Sequence, residues 1–477
     1  MSDESKPPAT TPLGHWIGLV VAAVVLAIGG VAAAGGIVSS QQRTVAAGPT
    51  TVPPEVFGTP AATPSTNQAS PAPAADPDGA CLAAALDAVP PTGDGTMTGQ
   101  VIGLASGKVL WDKAAGQPMI PASNEKVLTA LALVDALGPG ALSVTYQTSV
   151  VAGPGDQIVL VGGGDPFLAS GAATVTLGQP ATLDDLAAAT AKALQDQGRS
   201  TVALGFDDTA FTGPDWNPTW DGSYSSSVTR VSALWVDGGM TPHPVTTAEG
   251  AARRSQTPAW DAAKLFAGQL QARGIAVSSV AQTGAKAPAG ATPIASIASL
   301  PLGDIIEQTL LVSDNSAAEV LLRHVAIATG RPGSFADGAA AVQAWLEAHQ
   351  LSAPGLQFVD GSGLSRGNAL PASTLAKAIV WAVGSDGPAR EVVARLPVAA
   401  ATGTLVGRFQ EPNAPGAWGY VHAKTGSLIG VATLTGYTVT TSGQWLAFSV
   451  LVNGGGSLYS MRLWLDQVVA TMTTARC

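Results

Sequence analysis

The stretch PASNEKVLTA, residues 121–130, places a serine and a lysine three positions apart where an apolar run begins. The run continues through leucines and valines to Leu137 and stops at Gly138, which predicts a helix. Positions i and i+3 lie on one face of a helix, so Ser123 and Lys126 are expected to meet there. Two interpretations fit this pairing. Ser123 caps the helix with its hydroxyl, or it is a nucleophile and Lys126 is its base.

Composition narrows the classes of function. The chain has 477 residues and a net charge of −10 without a basic run, which argues against a nucleic-acid-binding surface. With 46% hydrophobic and 12% charged residues, it can bury a sizeable core in two or three domains. The five histidines and two cysteines show no metal-binding spacing, so neither a metal nor a cofactor is predicted.

The N-terminal region predicts export. Residues 16–38 form an apolar run, and no charged residue occurs between Lys6 and Arg43. This run is long enough to cross a membrane, so residues 1–43 are predicted to be a cytoplasmic tail and a single transmembrane anchor. A signal sequence cleaved near residues 32–34 is the alternative. In either case the rest of the chain is expected at the extracytoplasmic face of the membrane, or secreted.

Composition also divides the chain into a linker and a folded part. Residues 44–80 are rich in proline, alanine and threonine and nearly lack large apolar side chains, so they are expected to be an extended linker. Folded sequence begins near Cys81 with a predicted helix. A hairpin is predicted at 99–112, followed by short strands and one helix (183–198) up to about residue 290. Helices, further strands and a last helix come after it.

Two further motifs follow the first serine and lysine. Residues 313–315 are Ser-Asp-Asn, and residues 424–426 are Lys-Thr-Gly. Taken alone, the first is typical of a turn or a helix start, and the second of a strand before a glycine. In the order Ser-x-x-Lys, Ser-Asp-Asn, Lys-Thr-Gly, they match the set that characterises penicillin-binding proteins and serine β-lactamases.

Longer stretches narrow the resemblance. They are GGGDP (162–166), SDNSAAEVLLR (313–323), DGSGLSR (360–366), GTLVGRF (403–409) and AKTGSLIGVATLTGY (423–437). Together they resemble the low-molecular-mass class C penicillin-binding proteins, the D-alanyl-D-alanine carboxypeptidase/endopeptidase family, over about residues 80–477. That family has a large insertion between its first two motifs, and the gap from Lys126 to Ser313 is of that kind. LPVAAATGTL (396–405) departs from the family pattern.

The resemblance implies an α+β fold. A penicillin-binding/serine β-lactamase-like domain, an antiparallel sheet covered by helices, is expected to be discontinuous and to consist of residues 81–150 and 293–477. Residues 151–292 are expected to form a large inserted region of mostly β structure, as one or two domains.

The resemblance also implies a role for the motif residues. Ser123 is expected to attack the carbonyl between two D-alanines and to form an acyl-enzyme, with Lys126 as its base. The nearby charge of Lys424 and partial burial are expected to keep Lys126 neutral. Ser313 is expected to pass a proton to the departing D-alanine, and Asn315 to bind the peptide backbone of the substrate.

Other motif residues are expected to bind the substrate. Lys424 and Thr425 would attract the terminal carboxylate of the stem peptide. The backbone N–H groups of Ser123 and Ser427 would form the oxyanion hole.

Specificity is expected to come from two residues outside the three motifs. Asp221, in the inserted region, resembles the family's acidic residue that faces the free amine of the stem peptide's diamino acid. Arg366 resembles a residue that lines the same pocket, and a structural ion pair is its alternative role.

Other conspicuous side chains are expected to be structural. Glu125 would be a surface charge pointing away from the serine and lysine, at the positive end of the helix. His422 would be packed or solvated. Trp216, Trp220 and Trp235 are expected to pack in the core rather than to stack on sugars.

The sequence therefore predicts an exported serine D,D-peptidase. It would act on peptidoglycan stem peptides, remove the terminal D-alanine or cleave D,D cross-links, and be acylated by β-lactams as covalent inhibitors. The membrane is an expected partner through the N-terminal segment, and nucleic acid is not. The alternatives are a serine β-lactamase and a non-catalytic wall-binding protein on the same fold. Both lysines of the motifs are present, which argues against the latter.

The two cysteines, Cys81 and Cys477, lie at the two ends of the predicted folded part. An exported chain matures where disulfides form. The first and last helices of penicillin-binding domains pack side by side, so a Cys81–Cys477 disulfide is expected. Two free thiols, or a bond from Cys81 to another chain, are the alternatives.

Overall fold

The computed structural model describes residues 75–171, 178–241, 243, 253–410, 412, 414 and 416–477. Its helices are α1 (Gly79–Asp87), α2 (Glu125–Leu137), α3 (Leu183–Asp196), α4 (Pro258–Gln271), α5 (Leu302–Val312), α6 (Asn315–Ala328), α7 (Phe335–Ala348), α8 (Ala372–Gly384), α9 (Pro388–Ala394) and α10 (Leu458–Thr474). Its strands are β1 (Thr96–Gly103), β2 (Val109–Lys113), β3 (Pro118–Met119), β4 (Gln147–Ala152), β5 (Gln157–Val161), β6 (Thr201–Asp207), β7 (Met240–Thr241), β8 (Arg253–Arg254), β9 (Ala276–Val280), β10 (Pro293–Ala298), β11 (Leu370–Pro371), β12 (Val421–Leu428), β13 (Val431–Val439) and β14 (Trp445–Asn453).

The first large sheet joins strands from both sides of the predicted insertion. Its order is β12-β13-β14-β1-β2, and all neighbouring strands are antiparallel. The hairpin predicted at 99–112 is confirmed by the pairing of β1 with β2. Successive side chains of a strand point to opposite faces. Accordingly, Ala447 packs into the core on one face, with α2 and α5 to α9, and Phe448 packs on the other, with α1 and α10. The predicted α+β fold is confirmed.

The second large sheet lies between β4 and β10 in sequence. Its order is β10-β4-β5-β6-β9, with the β5–β6 and β6–β9 pairs parallel. Parallel neighbours need a crossover connection, and α3 and α4 supply the two crossovers here. The predicted helix at 183–198 is confirmed by α3, whose N-cap Thr182 accepts a hydrogen bond from Asp185 N. Helix α4, which begins at Pro258, is not predicted by the sequence. The division at residues 151 and 292 stays a proposal.

The disulfide expected from the sequence is present. Cys81, in α1, is bonded to Cys477, with a Cα–Cα distance of 5.7 Å. Asp78 N also donates a hydrogen bond to Cys477 O at 3.1 Å, so the two ends of the described fold are fastened together. A cross-link over so long a loop stabilises by about 2–5 kcal/mol, mainly by constraining the unfolded chain.

The predicted membrane segment lies outside the described residues, as does most of the linker. Among the residues that the structure describes, none of the helices has the length and apolar character needed to cross a membrane.

Candidate active site

Ser123 lies in a single 3₁₀ turn, Ala122–Asn124, that leads directly into α2. Asn124 holds the N-cap position of α2, and no side chain caps this helix start. The Ser123 hydroxyl oxygen instead accepts a hydrogen bond from Lys126 Nζ at 2.8 Å. The structure thus excludes the capping interpretation of the Ser-x-x-Lys spacing and brings the serine and the lysine together.

Two glycines allow neighbouring backbone to approach this turn. At Gly426, the glycine of Lys-Thr-Gly, a Cβ would lie 2.8 Å from Pro121 O and 2.0 Å from Thr433 Oγ1. At Gly363, where φ is +80°, a Cβ would lie 1.9 Å from Ala122 O. A side chain cannot fit at either position, so both glycines are required for β12 and the loop before Leu364 to pack against the turn.

Lys126 Nζ is surrounded by three oxygen atoms. It lies 2.8 Å from Ser123 Oγ, 2.8 Å from Asn315 Oδ1 and 2.6 Å from Ser362 O. A neutral amine has two N–H donors and one lone pair. When the two donors bond to Asn315 and Ser362, the lone pair faces the Ser123 hydroxyl, which is the arrangement that a general base needs.

The surroundings of Lys126 favour the neutral amine. The side chain is 1% exposed, and burial lowers its pKa to about 8 against the opposing charges of Glu319 and Asp360. The prediction named partial burial and the charge of Lys424 as the causes, and both points are wrong: the burial is complete, and it alone accounts for the lowered pKa. The pKa of Lys424 is itself well below its ordinary value, because of burial first and the charge of Lys126 second.

Ser313 and Lys424 form a second serine–lysine pair. Ser313 ends α5 with a φ of +59°, and Asp314 caps α6 by accepting a hydrogen bond from Ala317 N at 2.9 Å. Lys424 Nζ donates to Ser313 Oγ at 2.9 Å and to Thr425 O at 2.8 Å. The Ser-Asp-Asn motif therefore both starts a helix and presents a serine to a lysine.

A cavity of about 440 Å³ opens onto both pairs. It is lined by Ser123, Tyr224, Ser227, Ser313, Asn315, Gly363, Leu364, Thr404, Arg408, Thr425, Ser427, Leu428 and Arg462. Five residues predicted for the site are in this wall. Strands, helices and the loop residues Tyr224 and Ser227, which lie between the first two motifs in sequence, all contribute to it. Lys126 and Lys424 lie behind the wall, 1% and 0% exposed.

The two predicted specificity residues lie outside the cavity wall. Asp221 is exposed and begins the 3₁₀ turn Gly222–Ser226, which carries the lining residue Tyr224. Its hydrogen bonds with Ser223 lower the pKa of its carboxyl. Arg366 is exposed and donates to Ile429 O, and no ion pair of Arg366 occurs in the described part of the chain. Their roles stay predictions.

The prediction that Glu125 is a surface charge is wrong. Glu125 is fully buried, and neither carboxylate oxygen has a hydrogen-bond partner among the described residues. Burial, and then the charges of Asp360 and Glu319, raise the pKa of this carboxyl well above its ordinary value. The physical reason is that every residue of α2 from Glu125 to Val134 is buried between other helices and the sheet, so the first turn has no solvent-facing side.

The aromatic residues considered above belong to the interior. Trp220 and Trp235 are buried in the large core, and Trp216 packs at the edge of this core with its ring nearly perpendicular to that of Trp220. His422 stacks on Tyr437 with ring centroids 4.7 Å apart. Packing of all four in or beside the core agrees with their predicted structural role.

Three further wall residues had little or no sequence signal. Thr404 accepts a hydrogen bond from Thr425 Oγ1 at 2.8 Å, and it lies at the end of the stretch that departs from the family pattern. Arg408 belongs to GTLVGRF, where a resemblance was visible without a role. Arg462 lies in α10, in a segment with no motif at all.

Comparison with known proteins identifies the family. The sequence profile of the D-Ala-D-Ala carboxypeptidase 3 (S13) family matches residues 82–252 and 244–472. The chain belongs to this family. A carboxypeptidase of Mycobacterium tuberculosis is 36% identical over 394 residues, covering 80% of this chain and 82% of the relative. The carboxypeptidase DacB of Mycolicibacterium smegmatis is 35% identical over 406 residues, covering 83% and 84%.

The fold of this chain is similar to that of a protein whose crystal structure is known. The crystal structure of penicillin-binding protein 4 (dacB) from Haemophilus influenzae superposes with a TM-score of 0.67 at 20% identity, covering 82% of this chain and 99% of that one. This match concerns the fold alone. Family membership confirms the resemblance to the low-molecular-mass class C penicillin-binding proteins, and the chain is a hydrolase of the serine D-Ala-D-Ala carboxypeptidase type.

Proposed function

We propose that this carboxypeptidase hydrolyses the bond between the last two D-alanines of peptidoglycan stem peptides through an acyl-enzyme on Ser123. The observation that carries the proposal is the position of Lys126, which contacts the Ser123 hydroxyl and is fully buried with a pKa of about 8. A serine hydroxyl needs such an adjacent base to become a nucleophile. This pKa is about one unit above neutral pH, so removing the proton from Lys126 at neutral pH costs only about 1.4 kcal/mol. A usable share of the lysine is therefore present as the neutral amine.

Acylation proceeds as Lys126 takes the Ser123 proton while Oγ forms a bond to the carbonyl carbon. The C–N bond then breaks as the proton taken by Lys126 is passed on to the departing amine by way of Ser313, which lines the same cavity with Lys424 behind it, so that Lys126 is neutral again. The backbone N–H groups of Ser123 and Ser427 are assigned to the oxyanion, where such donors are worth about 3–4 kcal/mol each. Water, activated by the same base, then releases the acyl group and restores Ser123.

Asn315 is assigned to substrate binding and to alignment of the base. Its Oδ1 accepts from Lys126 Nζ, and its Nδ2 donates to Ser227 O at 3.1 Å. The side chain thus connects Lys126 to the backbone of Ser227, a residue that also lines the cavity.

The activity test uses a stem pentapeptide and labelled penicillin. We expect stoichiometric release of D-alanine, identified by mass, and a penicillin adduct on Ser123 that persists over many peptide turnovers. The adduct separates a penicillin-binding protein from a β-lactamase, which would release hydrolysed penicillin rapidly. Rapid penicillin turnover without D-alanine release would contradict the proposal. Digestion of cross-linked peptidoglycan in the same assay determines whether D,D cross-links are also cut.

Asp221→Asn tests the proposed specificity role. We expect cleavage of stems with a free-amine diamino acid to fall about 10-fold, because a charge-assisted hydrogen bond is lost, while cleavage of the acetylated mimic changes little. Steady-state kcat/KM on the two peptides measures this. A matched variant at an exposed aspartate far from the cavity, Asp386→Asn, controls for a general charge effect. Equal losses on both peptides would show that Asp221 only shapes the turn that carries Tyr224.

We further propose that the enzyme works outside the cytoplasm, tethered by residues 16–38. The support is the uncharged apolar length of that segment and the Cys81–Cys477 disulfide, which suits an oxidising compartment. Cell fractionation tests the tether, and recovery of the intact chain in the soluble fraction would contradict it.

A further inference from the structure

The substrate carries a carboxylate for which the three motifs offer no exposed cation. The departing D-alanine has its carboxylate one carbon away from the nitrogen that leaves. Lys424, the motif cation expected to attract it, is 0% exposed, and its Nζ is occupied by Ser313 Oγ and Thr425 O. The hydroxyl of Thr425 reaches the cavity, but it is uncharged. A cation at the cavity wall is therefore still needed.

Two arginines lie in that wall, and one of them is already neutralised. Arg408 Nε lies 2.9 Å from one oxygen of Asp466 and Arg408 Nη2 lies 2.6 Å from the other. The same Nη2 donates to Arg462 O at 3.3 Å. Arg408 therefore has its carboxylate partner within the protein.

Arg462 has no such partner. It is half-buried on α10, and its Nη2 donates to Ser427 Oγ at 3.1 Å. Its Nε is buried and has no hydrogen-bond partner among the described residues. Burial and then the charge of Arg408 lower the pKa of this guanidinium, against the opposing charge of Asp466 one turn along α10, and the group stays protonated at neutral pH. Asp466 is itself paired with Arg408, so among the described residues Arg462 has an unused donor and no ion pair of its own.

We propose that Arg462, together with the hydroxyls of Ser427 and Thr425, binds the carboxylate next to the departing amine. This inference rests on the proposed function and adds a specificity residue to it. The planar guanidinium can donate two parallel hydrogen bonds to a carboxylate, which fixes its orientation as well as attracting it. Ser427 is shared between Arg462 and the oxyanion hole, so binding of the carboxylate sets the position of the scissile carbonyl.

The position of Arg462 also suggests a role for the disulfide in the fold. Arg462 lies in the first two turns of α10, on the layer opposite to α2, and it reaches the cavity past the end of β12. The Cys81–Cys477 disulfide holds the other end of the same helix to α1. Helix α10 thus connects the Cys81–Cys477 disulfide with the wall of the cavity.

The experiment compares two acylating substrates that differ only in the carboxylate. One is an acyl-D-alanyl thioester of thioglycolate, and the other is the methyl ester of the same compound. In Arg462→Gln we expect kcat/KM on the free carboxylate to fall about 10- to 100-fold and kcat/KM on the methyl ester to change less than about 3-fold. Arg462→Lys should recover part of the loss, since it keeps the charge but not the two-pronged geometry.

Controls separate this inference from the function on which it rests. Arg331→Gln, at an exposed arginine remote from the cavity, should leave both rates unchanged. Equal loss on the two substrates in Arg462→Gln would mean that Arg462 is only structural, and an unchanged ratio with unchanged rates would mean that it does not bind the carboxylate. Persistent thioester cleavage in Ser123→Ala would instead overturn the proposed function, whatever the Arg462 variants do.

Discussion

Replacing Ser123 with alanine is expected to abolish both release of D-alanine and covalent labelling by penicillin. The variant removes the oxygen that bonds to the substrate carbonyl, and no other group can replace it, so turnover should fall at least about 10⁴-fold. The fold should be unaffected, because the hydroxyl makes one hydrogen bond, to Lys126 Nζ, and does not cap α2. Mass spectrometry of the penicillin-treated protein and a D-alanine assay measure the two effects.

Ser352→Ala is the matched control for Ser123→Ala. Ser352 is exposed and remote from the cavity wall, so its variant should label at the wild-type rate. Labelling that survived in Ser123→Ala would show that the nucleophile is wrongly assigned. Ser316, next to the second motif, would be tested next, although its hydroxyl is buried between Thr229 N and Arg254.

Replacing Lys126 with methionine is expected to lower the acylation rate about 10²- to 10⁴-fold, the usual contribution of a general base. Methionine fills a similar volume without the amine, so the Ser123 hydroxyl keeps its place and loses its proton acceptor. In the wild type, Lys126 is protonated below a pKa of about 8 and cannot accept the proton. The rate should therefore rise with pH up to about 8 in the wild type and lose this dependence in Lys126→Met.

Stopped-flow acylation by a chromogenic β-lactam over a range of pH measures both effects. Lys192→Met, at an exposed lysine in the inserted region, is the matched control and should keep the wild-type profile. Thermal unfolding of Lys126→Met shows whether the variant is folded, since Asn315 Oδ1 and Ser362 O lose a donor. A folded Lys126→Met enzyme with the wild-type pH profile would mean that another group is the base.

The buried charges around Lys126 explain why its pKa is lowered only to about 8. Glu319 accepts hydrogen bonds from the backbone N–H groups of Gly361 and Ser362, which are next to the carbonyl that Lys126 contacts. Burial, and then the charge of Asp360, raise the pKa of the Glu319 carboxyl above its ordinary value. Burial favours the neutral form of Lys126 and the neutral form of Glu319, whereas the attraction between their opposite charges favours the charged forms. The second effect limits how far the pKa of Lys126 falls.

The catalytic motifs could be predicted from the sequence because their signals are local. Ser123 and Lys126 are three positions apart where a 3₁₀ turn leads into a helix, Asp314 caps the helix that begins with Asn315, and Lys-Thr-Gly lies on a strand. Each spacing places side chains relative to their own backbone, whatever surrounds them. The order of the three motifs indicated penicillin-binding proteins and serine β-lactamases, longer stretches narrowed this to one family, and the cysteines at the two ends of the folded part indicated one disulfide.

Only the tertiary structure decided which side chains face the cavity and which are buried behind it. Glu125 is polar and lies one residue before Lys126, yet α2 is buried from Glu125 to Val134, so a polar residue could not mark a surface there. Lys424 lies behind Ser313 because the glycine after Thr425 allows β12 to press against the 3₁₀ turn. Arg462 reaches the cavity from a helix with no motif. Its position depends on contacts between segments far apart in sequence, and local spacing cannot encode those.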